Sequence, residues 1–189
     1  MINTRDTHSS LQLVGRIERK THDIETLKSR IPEWDTLSRQ EKVAASRNVE
    51  PDSSEVVYNV TTDALHEYFV DNLDPDNTST EANVSVDYFS LGTDAGGGTA
   101  TADTDLNNRT YSEQVTDVAD NGKDLLASTF LDSTEGNGNT FDELGLCSGD
   151  PANATNPEVF LINHATFSPV TKDNTKTVTF DVTLTFSDI

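Results

Sequence analysis

The chain has 189 residues, a formal net charge of −20 and an apolar content of 33 %. Such an excess of carboxylates repels phosphate, so we expect no nucleic-acid partner, and no apolar run is long enough to predict a membrane span. Low apolar content with high charge is typical of disorder. Regular strand patterns in the later part of the chain favour instead a folded protein with an acidic surface adapted to high salt. At about 1 M salt the Debye length is roughly 3 Å, so repulsion between the carboxylates is screened.

Charge is divided unevenly along the chain. Nine of the thirteen Lys and Arg residues lie within residues 1–48, whereas 26 of the 33 acidic residues follow them. This division predicts two domains with separate tasks. The first is a near-neutral helical arm over residues 1–48, which anchors or oligomerises the protein. The second is an acidic β-sandwich domain over residues 49–189, which faces solvent.

Apolar residues in the arm follow a heptad pattern, in which the spacing alternates between four and three residues and Lys20 occupies one core position. The predicted oligomerisation and anchoring residues are Leu13, Ile17, Ile24, Leu27, Ile31 and Trp34. Isoleucine and leucine in alternate core positions favour a coiled-coil homodimer, and a trimer remains open. Two alternatives also remain: the stripe docks on a different partner, or it packs as an amphipathic helix on its own domain. Pro32 ends the first helix, and residues 32–47 predict a second one.

The body opens with a linker leading into a short strand over residues 49–57. A helix follows, with Thr61 or Thr62 as its cap and with Leu65, Phe69 and Leu73 on one face. Further strands are predicted over residues 84–91, 108–118, 124–131, 141–148, 158–167 and 177–186.

The last of these strands alternates strictly, with Val178, Phe180, Val182, Leu184 and Phe186 on one face and threonines with Asp181 on the other. This pattern predicts a half-buried antiparallel strand. The fold predicted for the whole chain is therefore mainly β, an antiparallel β-sandwich-like body with an N-terminal α-helical arm.

Several short motifs occur in a fixed order in the body. They are Leu91-Gly92-Thr93, a Gly/Ala/Thr loop, Asp105-Leu106-Asn107-Asn108-Arg109, Glu143-Leu144-Gly145-Leu146, Ala165-Thr166-Phe167-Ser168-Pro169 and the final alternating strand. Over residues 58–187 this order resembles small structural proteins of tailed phages and tailed haloarchaeal viruses. The resemblance implies a non-enzymatic virion protein that is assembled in the host cytoplasm with other virion structural proteins.

The resemblance also implies a position in the virion. It most often points to the tail or baseplate, or to a fibre-associated subunit. A helical anchor suits a capsid turret or spike decoration protein as well, and that is the alternative position. Contact with the host surface is a further expectation. A different class, a cellular carbohydrate-binding or adhesin-type module, is the second alternative, and the absence of a secretory signal counts against it.

The glycine-rich loop is the expected contact surface, because glycine permits tight or mobile loop conformations and loops at the end of a sandwich are free to make contacts. The expected exposed contact residues are Gly92, Asp94, Gly96, Gly97 and Gly98. Asp103 and Asp105 add further carboxylates to this loop. With Asp94 they could hold a hard cation, but in so acidic a chain a solvated face is the simpler interpretation.

Catalytic and metal-binding patterns are missing from the sequence. The four histidines, His8, His22, His66 and His164, lack the spacing of metal ligands, and Cys147 has no basic neighbour. As the one cysteine, Cys147 also excludes an intrachain disulfide. We therefore expect no catalytic residue, no bound metal, no cofactor and no enzymatic activity.

Overall fold

The computed structural model describes residues 11–73, 85–93, 95–153 and 159–188. The strands in this part of the chain are β1 (Leu11–Asp23), β2 (Ser53–Thr61), β3 (Tyr88–Gly92), β4 (Arg109–Gln114), β5 (Asp117–Asn121), β6 (Asp124–Leu131), β7 (Thr140–Ser148), β8 (Phe160–Thr171) and β9 (Lys176–Asp188). The α-helices are α1 (Ile24–Arg30), α2 (Arg39–Ser46) and α3 (Asp63–Leu73), and short 3₁₀ helices span Trp34–Thr36, Ala95–Gly97 and Pro151–Asn153.

The nine described strands form one antiparallel sheet in the order β4-β3-β7-β8-β2-β1-β9-β6-β5. The sheet curls into a half-barrel, which confirms the mainly β, antiparallel prediction. Strand β2 joins its two halves: residues 53–59 pair with β1, whereas Val60 and Thr61 pair with His164 and Asn163 of β8. One continuous sheet thus takes the place of the two separate sheets of a sandwich.

The two edge strands, β4 and β5, follow one another in sequence with only Val115 and Thr116 between them. The amide of Val115 donates to the carbonyl of Asp87 (2.9 Å), and the amide of Thr116 donates to the carbonyl of Ser128 (2.8 Å). Opposite edges of the sheet therefore meet at this corner. The sequence predicted one strand over residues 108–118. The structure divides it here because β4 pairs with β3, whereas β5 pairs with β6 at the other end of the strand order.

Strand β1 lies in the middle of one half of the sheet, where the heptad pattern predicted a helix. It pairs with β9 along its whole length, from Leu11 opposite Asp188 to Asp23 opposite Lys176. Ile17 is fully buried in the interior, and Leu13 packs against the same core. The helical prediction is wrong for residues 11–23, because a spacing of four residues places side chains on one face of a strand as well as of a helix.

Helices α1 and α2 occur where helices were predicted, but they pack on the outer face of their own sheet. Asp23 caps α1 by accepting the amide of Thr26 (3.0 Å), and Ser38 and Glu41 form a capping box on α2. Their apolar residues form an outer cluster: Ile24, Leu27, Trp34, Val43 and Phe130 of β6, with Ile31 half-buried beside them. The helical part of the arm is thus packed on the outer face of the sheet.

Strand β9 is buried on both faces over its first half, although the sequence predicted a half-buried strand. Val178, Phe180 and Val182 face the interior as predicted. On the opposite face, Thr177 and Thr179 are also buried, because the helical segment covers the sheet there. Asp181 on this face accepts hydrogen bonds from Arg47 (2.8 Å) and Ser128 (2.7 Å).

Helix α3 begins where the sequence predicted it. The hydroxyl of Thr62 accepts the amide of Leu65 (3.4 Å), so Thr62 is the cap. Leu65 is buried in the core, whereas Phe69 remains 38 % exposed. In the described ranges, none of the helices has the length and apolar character needed to cross a bilayer.

Candidate functional site

Residues 95–108 form a loop between β3 and β4, and its surface is largely solvent-exposed. Gly96, Gly97 and Gly98 are exposed, as the sequence predicted, whereas Asp94 lies outside the described residues. Gly92 is buried, so the prediction that it is an exposed contact is wrong. A side chain at Gly92 would place its Cβ 2.1 Å from Oε1 of Glu143. Gly92 therefore makes room for a buried carboxylate.

Beneath this loop, the imidazole of His164 lies between two carboxylates. Its Nδ1 is 2.7 Å from Oδ2 of Asp103, and its Nε2 is 3.0 Å from Oε2 of Glu143. The side chains of His164 and Glu143 have no solvent exposure. We call Asp103, Glu143 and His164 the anchor cluster.

Glu143 also holds the end of the loop. Its two carboxylate oxygens accept the backbone amides of Asn107 (3.0 Å) and Asn108 (2.9 Å). Together with His164, these amides satisfy a charge that would be costly to bury alone. The buried carboxylate thereby fixes the point where the loop enters β4.

Asp103 holds the middle of the loop. Its carboxylate accepts a hydrogen bond from the amide of Ala100 (2.7 Å) and forms a second hydrogen bond with His164. Burial raises the pKa of Asp103, but these two hydrogen bonds outweigh it and leave the pKa below its ordinary value. The amide of Asp63 in α3 donates to the carbonyl of Thr101 (2.6 Å), which ties the loop to a helix.

Close packing completes the loop. Leu106 is buried against Cys147 and Leu161. Gly145 leaves space for this packing, since a Cβ there would lie 2.4 Å from Leu161 Cδ1 and 2.9 Å from the carbonyl oxygen of Asn163. Burial raises the pKa of the Cys147 thiol to about 11, so this cysteine behaves as a small apolar residue.

The acidic residues of the loop have protein partners. Asp105 forms an ion pair with Arg109 (3.2 Å), and Asp103 contacts His164. Across the ranges that the structure describes, no group of three or more His, Cys, Asp and Glu side chains is placed to hold a metal ion.

Three of the sequence motifs that are separate in the chain meet at this cluster. Gly92 of the first pairs with Glu143 of another across β3 and β7, and Glu143 accepts hydrogen bonds from the amides of Asn107 and Asn108 in the third. These three motifs therefore hold one loop in place. Family models, curated proteins and solved structures give no match to this chain.

The predicted oligomerisation residues do not share a surface. Leu13 and Ile17 line the interior of the half-barrel, whereas Ile24, Leu27 and Trp34 lie in the outer cluster on the other side of the sheet. Because these side chains are occupied within the chain, a coiled coil built on them would require the fold to open.

The sequence did not identify His164 as part of a charged cluster. The sequence signal was a pair of polar residues within each of two strand segments, Asn163-His164 in β8 and Asp142-Glu143 in β7. Only the register of β7 against β8 brings His164 and Glu143 together. Since neither side chain reaches solvent, these two residues are suited to holding the loop.

Proposed function

We propose that the protein is a non-enzymatic structural subunit of the virion of a virus adapted to high salt. In this proposal the loop of residues 95–108 is its contact surface for other virion structural proteins. The sequence resemblance supplies the kind of particle, with the tail or baseplate favoured and a capsid turret or spike as the alternative position. The anchor cluster supports the proposal because it presents the loop in a fixed conformation.

The composition of the loop is the observation that carries this proposal. Residues 96–102 contain no charged side chain in a protein of net charge −20. Gly96, Gly97, Gly98, Ala100, Thr101 and Ala102 are exposed. Interfaces are depleted of charged residues at their centres, and a patch of small uncharged groups permits close approach between acidic proteins. A rigid loop also loses little conformational entropy on binding.

The virion role is tested on purified particles from the virus that encodes the chain. Quantitative mass spectrometry is expected to find the protein in stoichiometric amounts. Its absence from intact particles would reject the proposed structural role in the virion. Gold-labelled antibody is expected at the tail. Label distributed over the capsid would select the turret or spike position instead.

The role of the loop is tested with Ala102→Trp, which adds a bulky group to the proposed surface. The matched control is Ala44→Trp, at an exposed alanine of α2. When each variant complements a virus that lacks the gene, we expect Ala102→Trp to be lost from particles and Ala44→Trp to be incorporated. Equal incorporation of both folded variants would reject the loop as the contact surface.

A further inference from the structure

A groove opens at one end of the half-barrel, between α3 and the hairpin of β5 and β6. Its volume is about 600 Å³. Its floor includes Leu13, Ile162 and Leu184, so it continues directly into the apolar core. Small-molecule sites in proteins are concave, mostly apolar and about 300–1,000 Å³ in volume. The groove meets this description independently of any role of the loop at residues 95–108.

The two walls of the groove carry exposed apolar side chains. Phe69 of α3 is 38 % exposed and Val118 of β5 is 43 % exposed, and both line the opening. Tyr68 and Phe186 add aromatic surface to the same lining. Apolar groups that gather in one concavity, rather than scatter singly, mark a binding surface.

The rim of the groove is acidic. Among the described residues that line it, the charged ones are Asp87, Asp120, Asp124 and one basic residue, Lys123. Asp87 accepts the hydroxyl of Ser85 (2.7 Å) and Asp124 accepts the hydroxyl of Thr185 (2.7 Å), so two of the three carboxylates are held at fixed positions. Three carboxylates against one ammonium attract a cationic group and repel an anionic one.

We propose that this groove binds a single-chain amphiphile with a cationic head group. The chain lies along Leu65, Phe69 and Leu184, and the head group lies at the rim beside Asp120 and Asp124. Burial of the chain supplies most of the affinity, since each buried methylene contributes about 0.8 kcal/mol. The carboxylates select the head group.

The proposal is tested by calorimetric titration of the full-length protein with three probes that share a decyl chain, each kept below its micelle concentration. The probes are decyltrimethylammonium, decyl glucoside and decanoate. The titrations use the lowest salt concentration at which circular dichroism still reports the folded state. We expect saturable binding at one site in the order ammonium, glucoside, decanoate. Tighter binding of decanoate, or no saturable binding of any probe, overturns the proposal.

Location is tested by a matched pair of valines of nearly equal exposure. Val118→Trp fills the groove, whereas Val56→Trp alters an outer-face residue of β2 that is 45 % exposed. We expect Val118→Trp to weaken binding of decyltrimethylammonium at least about tenfold, and Val56→Trp to leave it unchanged. If both variants are folded by their melting curves and weaken binding equally, the probe adsorbs to the acidic surface, and the proposed site is rejected.

Head-group selection is tested by Asp120→Asn, with Glu50→Gln as an exposed control outside the groove lining. The loss of one rim carboxylate is expected to weaken ammonium binding about two- to fivefold, and to leave glucoside binding unchanged. The same weakening in Glu50→Gln would show that overall charge, rather than the rim, attracts the probe.

Discussion

Glu143 and His164 lie on neighbouring strands, with Oε2 of Glu143 3.0 Å from Nε2 of His164 and both side chains shielded completely from solvent. Burial of such a pair is unfavourable unless further hydrogen bonds satisfy the remaining atoms. Here the amides of Asn107 and Asn108 and the carboxylate of Asp103 provide them. The stability of the loop is therefore coupled to the interior of the sheet.

Removal of His164 is expected to destabilise the protein and release the loop. His164→Leu leaves the buried Glu143 without its partner, and we expect a loss of about 3–5 kcal/mol in the free energy of unfolding. Amide hydrogen exchange measured by NMR should accelerate at Ala100, Asn107 and Asn108. The control is His66→Leu, an exposed histidine whose hydrogen bond to Thr61 is worth about 1 kcal/mol or less. Unchanged exchange at the three loop amides in His164→Leu would contradict the anchoring role.

Arg39 attaches α2 to two separate parts of the sheet. Its two terminal guanidinium nitrogens donate to the carboxylate of Glu113 in β4. The same side chain also contacts Glu135 of the turn before β7 (2.9 Å), the hydroxyl of Thr116 (3.2 Å) and the carbonyl of Phe130. A lysine cannot reproduce this planar set of donors. We expect Arg39→Lys to lower the free energy of unfolding in urea by about 1–3 kcal/mol.

The control for this prediction is Arg30→Lys, which makes the same replacement at an exposed position of α1. Surface substitutions of this kind change stability by about 0.5 kcal/mol or less. If both variants unfold at the same urea concentration, the contacts of Arg39 do not stabilise the native state.

Lys172 predicts a specific dependence of stability on pH. Its side chain is fully buried, and Nζ donates to Oδ1 of Asn137 (2.9 Å) and to the carbonyl of Asp173 (2.8 Å). Burial lowers the pKa of Lys172 from 10.5 to about 8. Between these two values the unfolded chain holds more protons at this lysine than the folded chain does, so Lys172 contributes a rise in stability with pH of up to about 3 kcal/mol over the window. Cys147 contributes a change in the opposite direction above about pH 9, because burial raises the pKa of its thiol from 9.0 to about 11.

Lys172→Met removes the titrating amine, so the contribution of Lys172 should disappear from the pH dependence, although the variant is less stable because two hydrogen bonds are lost. The difference in stability between wild-type protein and Lys172→Met should therefore grow with pH, because the contribution of Cys147 is common to both. Lys176→Met, at a partly exposed lysine of the same turn, should keep the rise. The measurement is urea unfolding at intervals from pH 8 to pH 10.5. A parallel rise in wild-type protein and Lys172→Met would assign the pH dependence to another group.

Substitution of Leu27 distinguishes packing within the chain from self-association through a coiled coil. Leu27 is fully buried in the outer cluster, whereas Ile31 is half-buried at its margin. We expect Leu27→Ala to cost about 2–5 kcal/mol, and Ile31→Ala to cost clearly less. The stability lost in each variant should be independent of protein concentration, because the outer cluster forms within one chain. If both variants lost the same stability and the loss grew as the protein was diluted, the result would support the predicted coiled coil.

The heptad pattern failed for a reason that the sequence itself contains. Leu13 and Ile17 are four residues apart, a spacing that fits both a helix and a strand. Lys20 is three residues beyond Ile17, which is the same face of a helix but the opposite face of a strand. In the structure Lys20 lies on the outer face and contacts Asp181 (3.6 Å). The lysine at a core position was the indication that residues 11–23 form a strand.

The uneven distribution of charge predicted an arm that anchors or oligomerises the protein. In the structure, three basic residues of this segment contact acids of the sheet: Arg39 contacts Glu113, Lys42 contacts Asp132 and Arg47 contacts Asp181. Pairing across more than 70 positions of sequence cannot be derived from local patterns. The later strands were predictable because their apolar runs and the turns between them are local features, as in β6, whose bounds match the prediction.

The acidic surface predicts a dependence of stability on salt. The ion pairs of Arg39, Lys42 and Arg47 act over contact distances, whereas repulsion among the surplus carboxylates acts over longer distances that salt screens. Raising NaCl from about 0.1 M to 1 M shortens the Debye length from about 10 Å to 3 Å, so we expect the melting temperature to rise. Asp120→Asn, at an exposed site of edge strand β5, should raise the melting temperature in low salt and have no effect in molar salt. A melting temperature that falls with added salt would show that the attractive pairs dominate.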